Sequence, residues 1–88
     1  MFRATQTGAE SLSPSLANLP IGARARVIAV NGTGAVARRL MEMGVVPGAQ
    51  VRVIKAAPLG DPIEVRVRGY HLALRRNEAQ TITVAATS

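Results

Sequence analysis

The stretch RRLMEMGVVPG, residues 38–48, decides how the chain is read. It closes an amphipathic run that begins after NGTG (31–34), where Thr33 is the expected N-cap of a helix over about residues 35–43. Val36, Leu40 and Met43 recur at i, i+4 and i+7 on one face, while Arg38, Arg39 and Glu42 point elsewhere. Gly44 stands where a left-handed residue ends a helix. A helix of about nine residues is marginal in water, since isolated helices need about 12–15. Its apolar stripe must therefore plug another element, and its charges stay outside.

The receiver is read in strands. ARARVIAV (23–30) sets Arg24 and Arg26 against Ala25, Val27 and Ala29, and QVRVIKA (50–56) alternates after the VVPGA turn, where Pro47 and Gly48 serve structure. PIEVRVRG (62–69) is the cleanest case, with Ile63, Val65 and Val67 on one face and Glu64, Arg66 and Arg68 on the other. Leu72 and Leu74 continue the pattern in YHLALR, and Ile82 and Val84 close it in QTITVA. Between these two runs, RRNEA reads as a single tight turn started by Asn77. The fold class is therefore mainly β: a small, strongly bent barrel of about five strands that leaves no exposed edge, with the short α-helix capping one end. Residues 1–17 lack periodicity and read as a flexible tail, and residues 18–86 as the folded domain.

Composition narrows the function. With 88 residues there is room for one domain and one modest core. That core is aliphatic, because the chain has one Phe, one Tyr and no Trp. The absence of cysteine removes disulfides, thiolate metal sites and cysteine nucleophiles together. No segment approaches the roughly 18 apolar residues of a membrane span, and the N-terminus has no apolar signal core, so a soluble intracellular protein is expected. A formal charge of +6, carried almost wholly by arginine, favours an anionic partner: nucleic acid, an anionic leaflet or an acidic protein face.

The ordered motifs now on the page resemble the FeoA-type ferrous iron transport proteins. The segments that carry the resemblance are LANLPIGARARVIAV, RRLMEMGVVPG, APLGDPI and LALR, spanning about residues 16–85. The resemblance implies a Src-homology-3-like barrel that works beside FeoB, the membrane-embedded GTP-hydrolysing ferrous iron transporter. It also implies a non-enzymatic accessory or regulatory role, and a cytoplasmic location peripheral to the inner face of the plasma membrane through that partner. Transition-metal binding belongs to the expectation only at the level of the family, and self-association is a further option.

Candidate contact residues follow from both readings. Arg38, Arg39 and Glu42 are a docking face on the helix, while Leu40, Met43 and Gly44 are structural. In APLGDPI, Pro58, Leu59 and Asp61 form a contact loop, with Gly60 and Pro62 shaping it. The plainer alternative is a structural loop in which Asp61 bonds its own backbone. Leu59 at a tip is hard to bury. His71 is the only histidine and the acids are scattered, so no metal site and no cofactor are expected, and Met41 and Met43 read as core. No paired carboxylates or serine with a base suggest catalysis. Arg38 or Arg39 supplied in trans to a GTPase is one conceivable refinement. The main alternative is a basic barrel binding RNA or another acidic partner through Arg66, Arg68, Arg75 and Arg76. Nucleic acid is not favoured, since stacking needs aromatics and the folded part has only Tyr70. A proline-motif adaptor fails on the same ground.

Overall fold

The computed structural model describes residues 14–87. Five strands, β1 (Arg24–Val30), β2 (Gln50–Ala56), β3 (Ile63–Val67), β4 (Tyr70–Leu74) and β5 (Ile82–Thr87), form one antiparallel sheet in the spatial order β4-β3-β2-β1-β5. Helix α1 (Gly34–Glu42) joins β1 to β2, and the single-turn helix α2 (Arg76–Ala79) joins β4 to β5. Alternation sets the burial. Ala25, Val27, Val51, Val53, Ile63, Val65 and Val67 face inward, and Arg24, Arg26, Arg52 and Arg66 face out. Leu74, Ile82 and Val84 complete one aliphatic core from the outer strands.

The sheet bends at two irregularities. Register slips by one residue at Ile28 in β1 and at Ile54 in β2, the extra residue that lets a strand turn. β1 pairs with β2 over only three residues before the Pro47–Gly48 turn takes over, Gly48 N–H donating to Val27 O at 2.8 Å and Val27 N–H to Ala49 O at 2.8 Å. Among the described residues no ladder joins β4 to β5, so the edges expected to vanish are still there. Part of the β5 edge is instead covered by the N-terminal segment: Val84 N–H donates to Pro14 O at 2.9 Å, and Ser15 bridges Thr83.

That covering segment corrects the sequence reading. Leu16 and Ala17, assigned to the tail, are buried core residues on a 3-10 turn spanning Leu16–Asn18. Too short to show periodicity, this turn gives no pattern to read. Residues 1–13 lie outside the described residues.

Helix α1 begins and ends one residue earlier than expected. Thr33 is at the N-cap position, but its hydroxyl makes no capping bond. The C-terminus is firmer: Gly44, at φ 100°, donates to Met41 O at 3.1 Å, and Val45 N–H donates to Leu40 O at 3.0 Å, the pair of bonds of a Schellman motif. Leu40 and Val45, both fully buried, meet as the apolar contact that accompanies this motif. Only the last turn of the helix plugs the sheet, because Val36, on the same stripe, is 36% exposed while Met43 packs against the core. Leu40→Ala is therefore expected to cost about 3 kcal/mol and Val36→Ala less than about 1 kcal/mol in urea unfolding. Equal losses at the two positions would contradict this placement.

Candidate functional site

α2 was expected as a turn started by Asn77, yet its first backbone donors are satisfied by one distant and one local carboxylate. Asp61 Oδ1 accepts Arg76 N–H at 2.9 Å, and Glu78 Oε1 accepts Arg75 N–H at 3.1 Å. Asn77 is exposed inside the helix. The acceptor comes from a loop 15 residues upstream, which a local turn rule does not see.

Arg76 extends the junction. Its Nε donates to Gly60 O at 3.0 Å and its Nη1 to Ala17 O at 2.7 Å, so one guanidinium holds the 57–62 loop and the 3-10 turn together. From the same short helix, the Glu78 carboxylate pairs with Arg39 of α1. α2 thus braces both segments singled out as contacts, the helix through Arg39 and the loop through Asp61 and Gly60.

This bracing sorts the expected contact residues. Arg39 and Asp61 are engaged within the chain, Asp61 with the Arg76 backbone rather than its own. Arg38, Glu42 and Pro58 are exposed without such ties among the described residues, and Leu59 is 96% exposed at the loop tip. Gly60 closes the tip, its N–H donating to Ala57 O at 2.7 Å, and the Pro62 carbonyl accepts Ala57 N–H at 2.9 Å. Glu42 and Met43 line a shallow depression with Tyr70, His71 and Leu72, in which Tyr70 is the exposed aromatic.

The sequence reading missed how the arginines assemble. Arg24 lies directly opposite Arg52, and Arg52 opposite Arg66, so three arginines form a row across β1, β2 and β3. Arg24, Arg52, Arg66 and Arg68 surround a depression floored by Gln50, Val51 and Gly69. The strands carry a single acid, Glu64, and it is engaged next to the row: 3.0 Å from His71 Nδ1 and 3.9 Å from Lys55 Nζ. Among the described residues none of these four arginines has an ion-pair partner. Arg68 and Gly69 form the two-residue β3–β4 turn with φ of 54° and 85°, a conformation that favours Asn-Gly and disfavours a long L side chain at the first position. The hairpin turn fixes the β3–β4 register, but the β2–β3 register depends on the bulge at Ile54, which no sequence signal announces.

Among the described residues no group of three or more His, Asp or Glu converges as a metal site. His71 is an exposed strand residue bonded to Glu64, and Met41 is exposed rather than core.

A family model described as the FeoA domain matches residues 15–86. The chain belongs to the FeoA family. An FeoA protein from Chlorobium tepidum, solved in solution, is 50% identical with a TM-score of 0.81, over 84% of this chain and 70% of that one. The FeoA of Stenotrophomonas maltophilia, solved with zinc and described as a prokaryotic SH3 domain protein, is 38% identical with a TM-score of 0.72, over 80% of this chain and 87% of its own. In Porphyromonas gingivalis, a fusion of Fe(2+) transport protein A with the Fe(2+) transporter FeoB is 38% identical over 73 residues. That alignment takes in 83% of this chain and 9% of the fusion, so the FeoA domain spans a small part of that relative's length. The mainly β, Src-homology-3-like architecture is shared across these FeoA domains.

The arginine row carries a stability cost in this FeoA domain, since like charges directly opposite on neighbouring strands repel at Cβ distances of about 5 Å. Arg52→Thr is expected to raise stability by about 0.5 kcal/mol at low salt. In about 1 M salt, where the Debye length falls to ~3 Å, the gain should nearly vanish. Thermal melts of both proteins across a salt series check this, and a destabilised variant would contradict it.

Proposed function

We propose that this FeoA domain is a non-enzymatic accessory factor of ferrous iron transport that docks on the cytoplasmic side of a FeoB-like membrane GTPase-permease. The observation that carries the reading is the relative in which a similar module and FeoB are one polypeptide, which joins the two at a fixed one-to-one ratio in that protein. On this reading the domain is held at the inner face of the plasma membrane by its partner. Iron is the transporter's cargo, and no group of three or more His, Asp or Glu converges to hold it among the described residues. The zinc found with the Stenotrophomonas protein is not carried over to this chain.

The contact surface is the outer side of α1 and the tip of the 57–62 loop. Leu59 supplies an apolar anchor, with Pro58 stiffening the tip and Arg38 and Glu42 contributing rim charges. Its loop is held at Gly60 and Asp61 by Arg76, so little ordering entropy is lost on docking. A stimulatory arginine in trans would fall to Arg38, since Arg39 is occupied by Glu78.

Leu59→Asp is expected to weaken capture of a detergent-solubilised FeoB by about tenfold or more, because a fully buried Leu is worth about 1.5–3 kcal/mol. The variant should keep the wild-type fold, the side chain being exposed in the free domain. Wild-type affinity for the variant, or no capture by either protein, would defeat the proposal. GTP turnover with Arg38→Ala separates docking from stimulation: docking alone predicts no change in rate.

A further inference from the structure

The outward face of β1, β2 and β3 plays no part in the docking just described, and its chemistry differs from that of the rest of the domain. Arg24, Arg52 and Arg66 stand in register, Arg26 lies two residues along β1 on the same face, and Arg68 joins them from the β3–β4 turn. Of the described acids, Glu42 lies on α1, Asp61 in the loop and Glu78 on α2, while Glu64, two residues before Arg66 on the same outward face of β3, is held between Lys55 and His71. Five arginines with no ion-pair partner among the described residues are thus gathered on or beside one sheet face. The fold does not need them there, because neighbouring arginines repel and Arg68 occupies a backbone conformation that glycine or asparagine would take more readily.

We propose that this arginine face lies against an anionic phospholipid surface, binding lipid phosphates directly and independently of any protein partner. Every cation of the patch is arginine, whose planar fork pairs with phosphate oxygens through two hydrogen bonds and is less strongly hydrated than an ammonium. The row is about 10 Å wide at the strand spacing of ~4.8 Å, so it meets several headgroups at once rather than cradling one small ion. No helix of the described residues is long and apolar enough to cross a membrane. A similar module exists as part of an iron transporter polypeptide, which brings such a module within reach of a bilayer. Single-stranded RNA shares the phosphate chemistry, but its binding relies on stacked bases, and the rings near the face are two: Tyr70 at its border and the imidazole of His71 opposite Arg66, which Glu64 holds. Arg76, which would have extended a backbone-tracking groove, is bound to Gly60 and Ala17.

The test is co-sedimentation of the full chain with phosphatidylcholine vesicles, with and without about 30% phosphatidylglycerol, in the absence of any transporter. Binding is expected only to the anionic vesicles and should fall steeply with added salt. Each arginine near such a surface contributes about a fivefold factor, so Arg52→Gln/Arg66→Gln should lower partitioning by at least tenfold. Arg38→Gln/Arg75→Gln, which removes the same charge away from the face, should lower it by less than about threefold; circular dichroism checks that both variants are folded. Equal binding to the two vesicle types, equal losses in the two double variants, or tighter saturable binding to a mixed-sequence RNA than to the anionic vesicles would each overturn the proposal. Because no transporter is present, these outcomes do not depend on the docking reading, which is tested by capture of FeoB.

Discussion

Arg76 is the side chain on which the arrangement of the domain turns. The sheet ends in two strands that do not pair with each other, so its closure depends on whatever joins the segments around those ends. One guanidinium reaches the carbonyls of Gly60 and Ala17, and the backbone N–H of the same residue reaches Asp61. Each bond from a charged donor is worth about 1.5–3 kcal/mol, and a lysine cannot make two such bonds in fixed directions. The N-terminal turn, the proline-rich loop and α2 are thereby one unit.

The apolar side of closure is simpler. Leu40 and Val45 fill the core from the end of α1, and the Schellman geometry around Gly44 aims them inward. Gly44 is needed for its positive φ of 100°, a conformation that L side chains rarely adopt. The helix is anchored at its last turn and, through Arg39 and Glu78, along its side, which leaves Arg38 and Glu42 facing outward from a rigid support. The functional proposals rest on this division between residues consumed by closure and residues left free.

Much of the fold was legible because alternation and the helix stop are local. Five strands, the short helix, the left-handed Gly44 and the plugging role of Leu40 follow from spacing alone. The N-terminal turn was not legible, since three residues with two buried apolar side chains leave no periodic trace. The start of α2 was misread because its acceptor, Asp61, is distant in sequence. Of the candidate contacts, Arg38, Glu42, Pro58 and Leu59 have no side-chain bond among the described residues, whereas Arg39 and Asp61 are bound within the chain. The arginine row was hidden because it exists only once the register across the Ile54 bulge is known.

Amide hydrogen exchange in the native state, compared between the wild-type chain and Arg76→Lys, tests the closing role of Arg76 most directly. Loss of the two-pronged contact should release the N-terminal segment and the loop as a local opening, so Val84 and Gly60 amides should exchange at least about tenfold faster while Val53, bonded to Ala23 O, keeps its protection. Unchanged exchange at Val84 and Gly60 would contradict the account.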